Sequence, residues 1–142
     1  MNKRVSIVAG IVLTIMIIFN FCASVFASSG SGLMLVGEGG NMTQAQVGIT
    51  RTGEVSYASI SVNSVYPVGN YSEDTYTRCK ARLFHHTEGN TPVSDKYTLT
   101  EGTGYTQIKF YEGYLNIRSF DLCFSGNNPL YGAYIAYSYR GN

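Results

Sequence analysis

The chain predicts an all-β fold, a small antiparallel β-sandwich of about six to eight strands. Three observations carry this. Apolar and polar residues alternate with a period of two over several short segments, most clearly at Cys79-Lys80-Ala81-Arg82-Leu83. Clusters of Gly, Asn, Pro and Ser separate these segments at short intervals. Beyond the leader, no stretch of ten residues holds a helical period free of glycine or β-branched crowding.

The elements follow in order. Lys3 and Arg4 precede an almost wholly apolar run from Val5 to Phe21, and Val25-Phe26-Ala27 supplies the small residues of a cleavage site. This is the pattern of a helical secretory signal peptide, 1–27, cut after Ala27. An uncleaved anchor is the alternative, because Val5 to Phe26 is just long enough to span a bilayer. Lipid attachment at Cys22 is disfavoured by the bulky Phe19-Asn20-Phe21 before it. Ser28 to Gly32 reads as a flexible linker by composition, and 33–142 as the sandwich domain.

Leu33 to Val36 is a short first strand. Gln44 to Thr50 alternates with Ala45, Val47 and Ile49 on one face, and Thr52-Gly53-Glu54 is a hairpin turn. Ser56 to Tyr66 places Ala58, Ile60 and Val62 inward. Pro67 to Asp74 is a break. Tyr76 to Phe84 turns Cys79, Ala81 and Leu83 inward, with Arg78, Lys80 and Arg82 outward. His85 to Asp95 is a polar loop, and Lys96 to Thr100 a weak strand. Tyr105 to Tyr111 buries Thr106, Ile108 and Phe110. Leu115 to Phe124 buries Phe120, Leu122 and Phe124. Tyr131 to Tyr139 closes the chain, with Tyr131, Ala133, Ile135, Tyr137 and Tyr139 on one side.

Removing Lys3 and Arg4 with the leader turns the whole chain's formal charge of +1 into about −1. No clustered basic surface exists for nucleic acid. The Arg78, Lys80, Arg82 stripe reads as a solvated strand face. Two cysteines outlast the leader, Cys79 and Cys123, and an even count in an exported domain predicts one disulfide. Closing that loop would contribute about 4 kcal/mol in the chain-entropy picture. One conflict accompanies it: Cys123 falls on the face opposite Phe120, Leu122 and Phe124. A bridge then needs either a bulge or a strand covered on both faces, and the flanking aromatics favour the second.

Chemistry-bearing clusters are sparse. His85-His86-Thr87-Glu88 offers metal-binding residue types, but neighbours on a strand diverge and further ligands are lacking, so His85, His86 and Glu88 are weak candidates. No serine sits in a nucleophile elbow. No pair of carboxylates is brought together by spacing. The sequence therefore names no catalytic residue and no cofactor. Twelve tyrosines, all beyond the leader, carry more weight. Tyrosine joins a rigid apolar plate to a polar tip, which suits interfaces and sugar stacking. The expected binding surface is Tyr105, Tyr111, Tyr114, Tyr131, Tyr134 and Tyr137, with Arg118 as a polar anchor. The reading is a secreted or cell-surface binding module whose partner is an extracellular protein or carbohydrate. The alternative is a secreted membrane-active toxin or bacteriocin-like effector, and a small hydrolase ranks below both.

Overall fold

The computed structural model describes residues 27–53, 55–68 and 77–142. The leader up to Phe26, Glu54 of the expected Thr52-Gly53-Glu54 turn, and the residues Gly69 to Tyr76, with Asn70, Glu73 and Asp74, lie outside them. Eight strands are present: β1 (Ser29–Val36), β2 (Thr43–Thr50), β3 (Tyr57–Pro67), β4 (Arg78–His85), β5 (Tyr97–Thr100), β6 (Tyr105–Lys109), β7 (Ser119–Gly126) and β8 (Ala133–Arg140), with a 3-10 turn at Glu112–Tyr114. They form two four-stranded sheets, ordered β1-β8-β3-β6 and β2-β7-β4-β5. Every described pairing is antiparallel.

One rule generates four of these six pairings. Each strand pairs with its mirror image about the chain's midpoint: β1 with β8, β2 with β7, β3 with β6, β4 with β5. A long hairpin folded at β4–β5 and rolled into two layers gives this order, which is that of an eight-stranded jelly roll. The core lies between the layers. Ile60, Ile108 and Ile135 from one sheet meet Leu83, Phe120, Leu122 and Phe124 from the other, all buried. Phe110 packs edge-on to Phe120 at a 5.2 Å centroid distance.

The expected inward faces of β3, β4, β6 and β8 hold. Ala58, Ile60, Val62, Cys79, Ala81, Leu83, Ile108, Ala133 and Ile135 are all buried. Two elements depart from simple alternation. In β2 the register slips on either side of Gln46, and Gly48 takes a positive φ of 64°. Ala45 and Ile49 stay inward while Val47 turns out and is 52% exposed. A bulge re-aims side chains in this way because two residues oppose one. In β3 a slip between Val62 and Ser64 resets the phase so that Val65 is also buried.

The segment read as a linker is not one. Ser29 to Gly32 belongs to β1, with Gly30 opposite Tyr139 and Gly32 opposite Tyr137. Ser28 is held as well: its backbone N–H donates to the Thr50 carbonyl at 3.0 Å, and its hydroxyl accepts from the Thr50 N–H at 2.9 Å. The glycines serve close approach rather than flexibility. A Cβ on Gly32 would lie 2.5 Å from the Tyr137 hydroxyl oxygen. That ring cannot retreat, since it packs 5.1 Å from Phe124 and its hydroxyl donates to the Ala45 carbonyl at 2.9 Å. Gly32→Ala is expected to destabilise the fold by about 1–3 kcal/mol, the usual range for overpacking. Gly37→Ala, with nothing near its Cβ position, should leave the urea midpoint unchanged.

The predicted disulfide is corrected. Both cysteines are buried and unpaired. On the adjacent strands β4 and β7, Cys79 stands opposite Gly126 and Cys123 opposite Arg82. The thiols are thus offset by three positions, about 10 Å along the strands, beyond the roughly 7 Å that a bridge tolerates. They also face opposite ways: Cys79 enters the core, and Cys123 shares the outer face with Arg82. β7 is indeed covered on both sides, since Asp121, Cys123 and Ser125 are buried on its outer face. That coverage does not bring the sulfurs together, because register, not burial, decides which side chains meet.

Candidate functional site

Two places on the sandwich combine shape with recognition chemistry. The first is a platform on the outer face of the β1-β8-β3-β6 sheet. Leu35, Tyr134 and Tyr66 occupy one row across β1, β8 and β3, because Tyr134 is the register partner of both. The two rings stack at 5.2 Å with planes 28° apart. Leu33 continues the patch one row along, and it and Leu35 are 63% and 51% exposed. Beside the row the sandwich end opens into a hollow of about 430 Å³ lined by Val36, Glu38, Val68, Tyr131 and Gly132. Half-exposed aliphatic side chains around a stacked ring pair form a contiguous apolar surface, the kind that marks interaction sites.

The second place is a cavity of about 340 Å³ on the outer face of the other sheet. Its floor is Asp121 and Cys123 on β7. Its walls are Met42 and Gln44 on one side, and Phe84, Gly89 and Asn90 on the other. Asp121 is only 5% exposed. Its Oδ1 accepts the Gly48 N–H and faces the His86 Nδ1, each at 2.8 Å, and its Oδ2 accepts the Gln44 Nε2 at 2.7 Å. The bulge in β2 is what brings the Gly48 N–H to the carboxylate. The Cys123 thiol beside it stays protonated: burial and then the Asp121 carboxylate push its pKa up to about 12. A thiol held so high is a poor nucleophile at neutral pH.

The seven sequence-predicted surface residues are not gathered into one surface. Tyr134 is on the platform and Tyr131 lines its hollow. Tyr105 shares the sheet but sits at its far end, pairing with Ser61, beneath the Arg140 guanidinium at 4.2 Å. Tyr111 belongs to another cluster. Its hydroxyl donates to Asp95 Oδ1 at 2.9 Å and receives an Arg82 N–H at 3.3 Å. Tyr114 meets the His85 ring edge-on at 6.0 Å. Arg118 donates to the Thr52 carbonyl. Tyr137 is 3% exposed and belongs to the core, where burial and then Tyr139 raise its pKa.

Comparisons with protein families, with curated proteins and with solved structures returned no match. The site is therefore argued from this chain's own side chains.

His85, the last residue of β4, and His86, just beyond it, diverge. The His85 Nδ1 accepts the N–H groups of Thr87 and Glu88 at 3.3 and 3.2 Å and so organises the turn after β4. His86 turns to Asp121. Glu88 is exposed. Among the described residues no three His, Cys, Asp or Glu side chains are grouped to hold a metal. Sequence reasoning missed Tyr66, Leu33 and Leu35 as surface residues, and Asp121 and Gln44 as a buried polar pair. The outward alternation of Leu33 and Leu35 against Met34 and Val36 was the available signal for the first group. Nothing local signalled the second, because Gln44 and Asp121 are 77 residues apart.

Proposed function

We propose that the protein is an exported binding module that engages an extracellular protein or glycan through the Tyr66–Tyr134 platform. Export rests on the leader sequence, with the mature chain starting at Ser28 and ending up secreted or on the cell surface. The observation that carries the binding reading is the row Leu35–Tyr134–Tyr66, with its two rings stacked, Leu35 and Tyr66 exposed, and a hollow beside it large enough to seat a side chain or a small ligand. Its aliphatic flanks favour a protein partner over a sugar, since sugars need convergent polar groups that this patch is short of. The toxin alternative is weakened by the sheet's outer centre. Ser59, Ser64 and Ser138 lie there beside the exposed Asn63, whereas a membrane barrel presents an apolar band.

The test is binding of the labelled mature chain to whole cells and cell-wall extracts, with dye release from liposomes measured in parallel. A Tyr66→Ala, Tyr134→Ala double variant is expected to lose at least tenfold in affinity, about 1.4 kcal/mol. Its thermal midpoint should stay within a few degrees of the parent's, because both rings are on the outside. Unchanged binding would place the interface elsewhere, and dye release by the parent would favour the toxin.

A further inference from the structure

We infer that the Asp121 cavity is a second binding site, separate from the platform, that takes a polyhydroxylated ligand of monosaccharide size. The argument starts from the direction of its hydrogen bonds. The Asp121 Oδ2 must accept from the Gln44 amide nitrogen, which fixes the amide's orientation. The Gln44 carbonyl oxygen is therefore turned away from the carboxylate, on a residue that lines the cavity. A carboxylate has about four acceptor positions, and Asp121 uses three. One remains, on a group that lines the cavity floor. Two residues that line the cavity thus each keep an acceptor, and a ligand that presents adjacent donors would complement them.

Vicinal hydroxyls meet that demand better than an ammonium group does. Three N–H bonds already disperse the Asp121 charge, and among the described residues no second carboxylate lines the cavity, so the desolvation of a full cation would be poorly offset. A hydroxyl also accepts in return, from the Cys123 S–H or the Asn90 amide nitrogen. Asn90 holds a left-handed conformation, φ 49°, at the cavity wall. Phe84, register partner of Asp121, supplies an apolar wall for the C–H face of a sugar ring. The volume of about 340 Å³ lies at the low end of the range for small-molecule pockets.

The experiment is a nitrogen-15 NMR titration of the mature chain with glucose, galactose, mannose and N-acetylglucosamine, to roughly 50 mM each, since isolated monosaccharide sites bind near the millimolar range. At least one sugar is expected to give saturable shifts at the Gly48 amide and at the Gln44 and Asn90 side-chain amides. Gln44→Ala keeps the Gly48 and His86 contacts to Asp121 and should weaken that sugar at least tenfold. Tyr134→Ala should leave its affinity unchanged, which separates this site from the platform. The inference is overturned if none of the four sugars moves those signals or if Gln44→Ala binds as well as the parent. Saturation of the same signals by methylammonium instead would also overturn it.

Discussion

Replacing Asp121 by alanine is expected to lower the unfolding free energy by about 3 kcal/mol, measured as a shift of the urea midpoint at constant slope. The carboxylate ties three segments that sequence keeps far apart: Gln44 and the bulged Gly48 of β2, and His86 beyond β4. Hydrogen bonds to a charged group are worth about 1.5–3 kcal/mol each, and their loss leaves partners unsatisfied. His86 is partly exposed and recovers water, so the three contacts do not add in full. The Gly48 N–H is the costly orphan. Asp121→Asn separates the contributions, because its amide oxygen still accepts from one donor while its amide nitrogen confronts another. It should fall between the parent and the alanine variant. A loss under about 0.5 kcal/mol for the alanine variant, the range of ordinary surface changes, would mean that the carboxylate does not staple β2 to β7.

Raising the pH from 9 towards 12 is expected to destabilise the protein by about 1.4 kcal/mol per pH unit for each thiol. Burial lifts Cys79 to about 12, and burial with the Asp121 carboxylate lifts Cys123 to about 12. In the unfolded chain a thiol titrates near 8.5. Below that value both states hold the proton and the full contribution is present. Between 9 and 12 the unfolded state releases two protons that the native state keeps, so stability falls with pH. Above 12 both states are ionised and the loss levels off. The buried Tyr137 hydroxyl, also pushed up, adds a slope of the same sign above about pH 10, so a thiol's share is the part that Cys79→Ala removes; a disulfide-linked chain would have no such share. Unfolding at pH 8 and pH 10 in urea, with and without Cys79→Ala, measures the slope. Thiol reagents should react with two sulfurs per chain only after unfolding. A reducing agent should leave the thermal midpoint unchanged.

Much of the architecture was legible because alternation is local. Ala58, Ile60 and Val62, or Cys79, Ala81 and Leu83, announce their face without knowledge of any other strand, and both triplets are buried as expected. What escaped was set by pairing. Val47 is displaced by a bulge that places the Gly48 N–H on a carboxylate from β7. Gly30 and Gly32 look like linker residues until Tyr139 and Tyr137 are seen to lie across them from β8. The two cysteines are compatible with a bridge by count and incompatible by register. The candidate surface failed for the same reason. Composition pointed to tyrosine, but only strand order reveals that Tyr66 and Tyr134 share a row while Tyr137 is inside and Tyr111 faces Asp95.

The mirror pairing of the strands has a consequence for biogenesis. Of the eight described strands β1 emerges first, and its only neighbour is β8, which emerges last of the eight. A chain emerging from its amino end therefore cannot close its outer sheet until nearly all of it has been delivered. Such long-range closure makes folding slow and keeps the polypeptide threadable while it is in transit. Under the export proposed above, late closure would be an advantage built into the strand order.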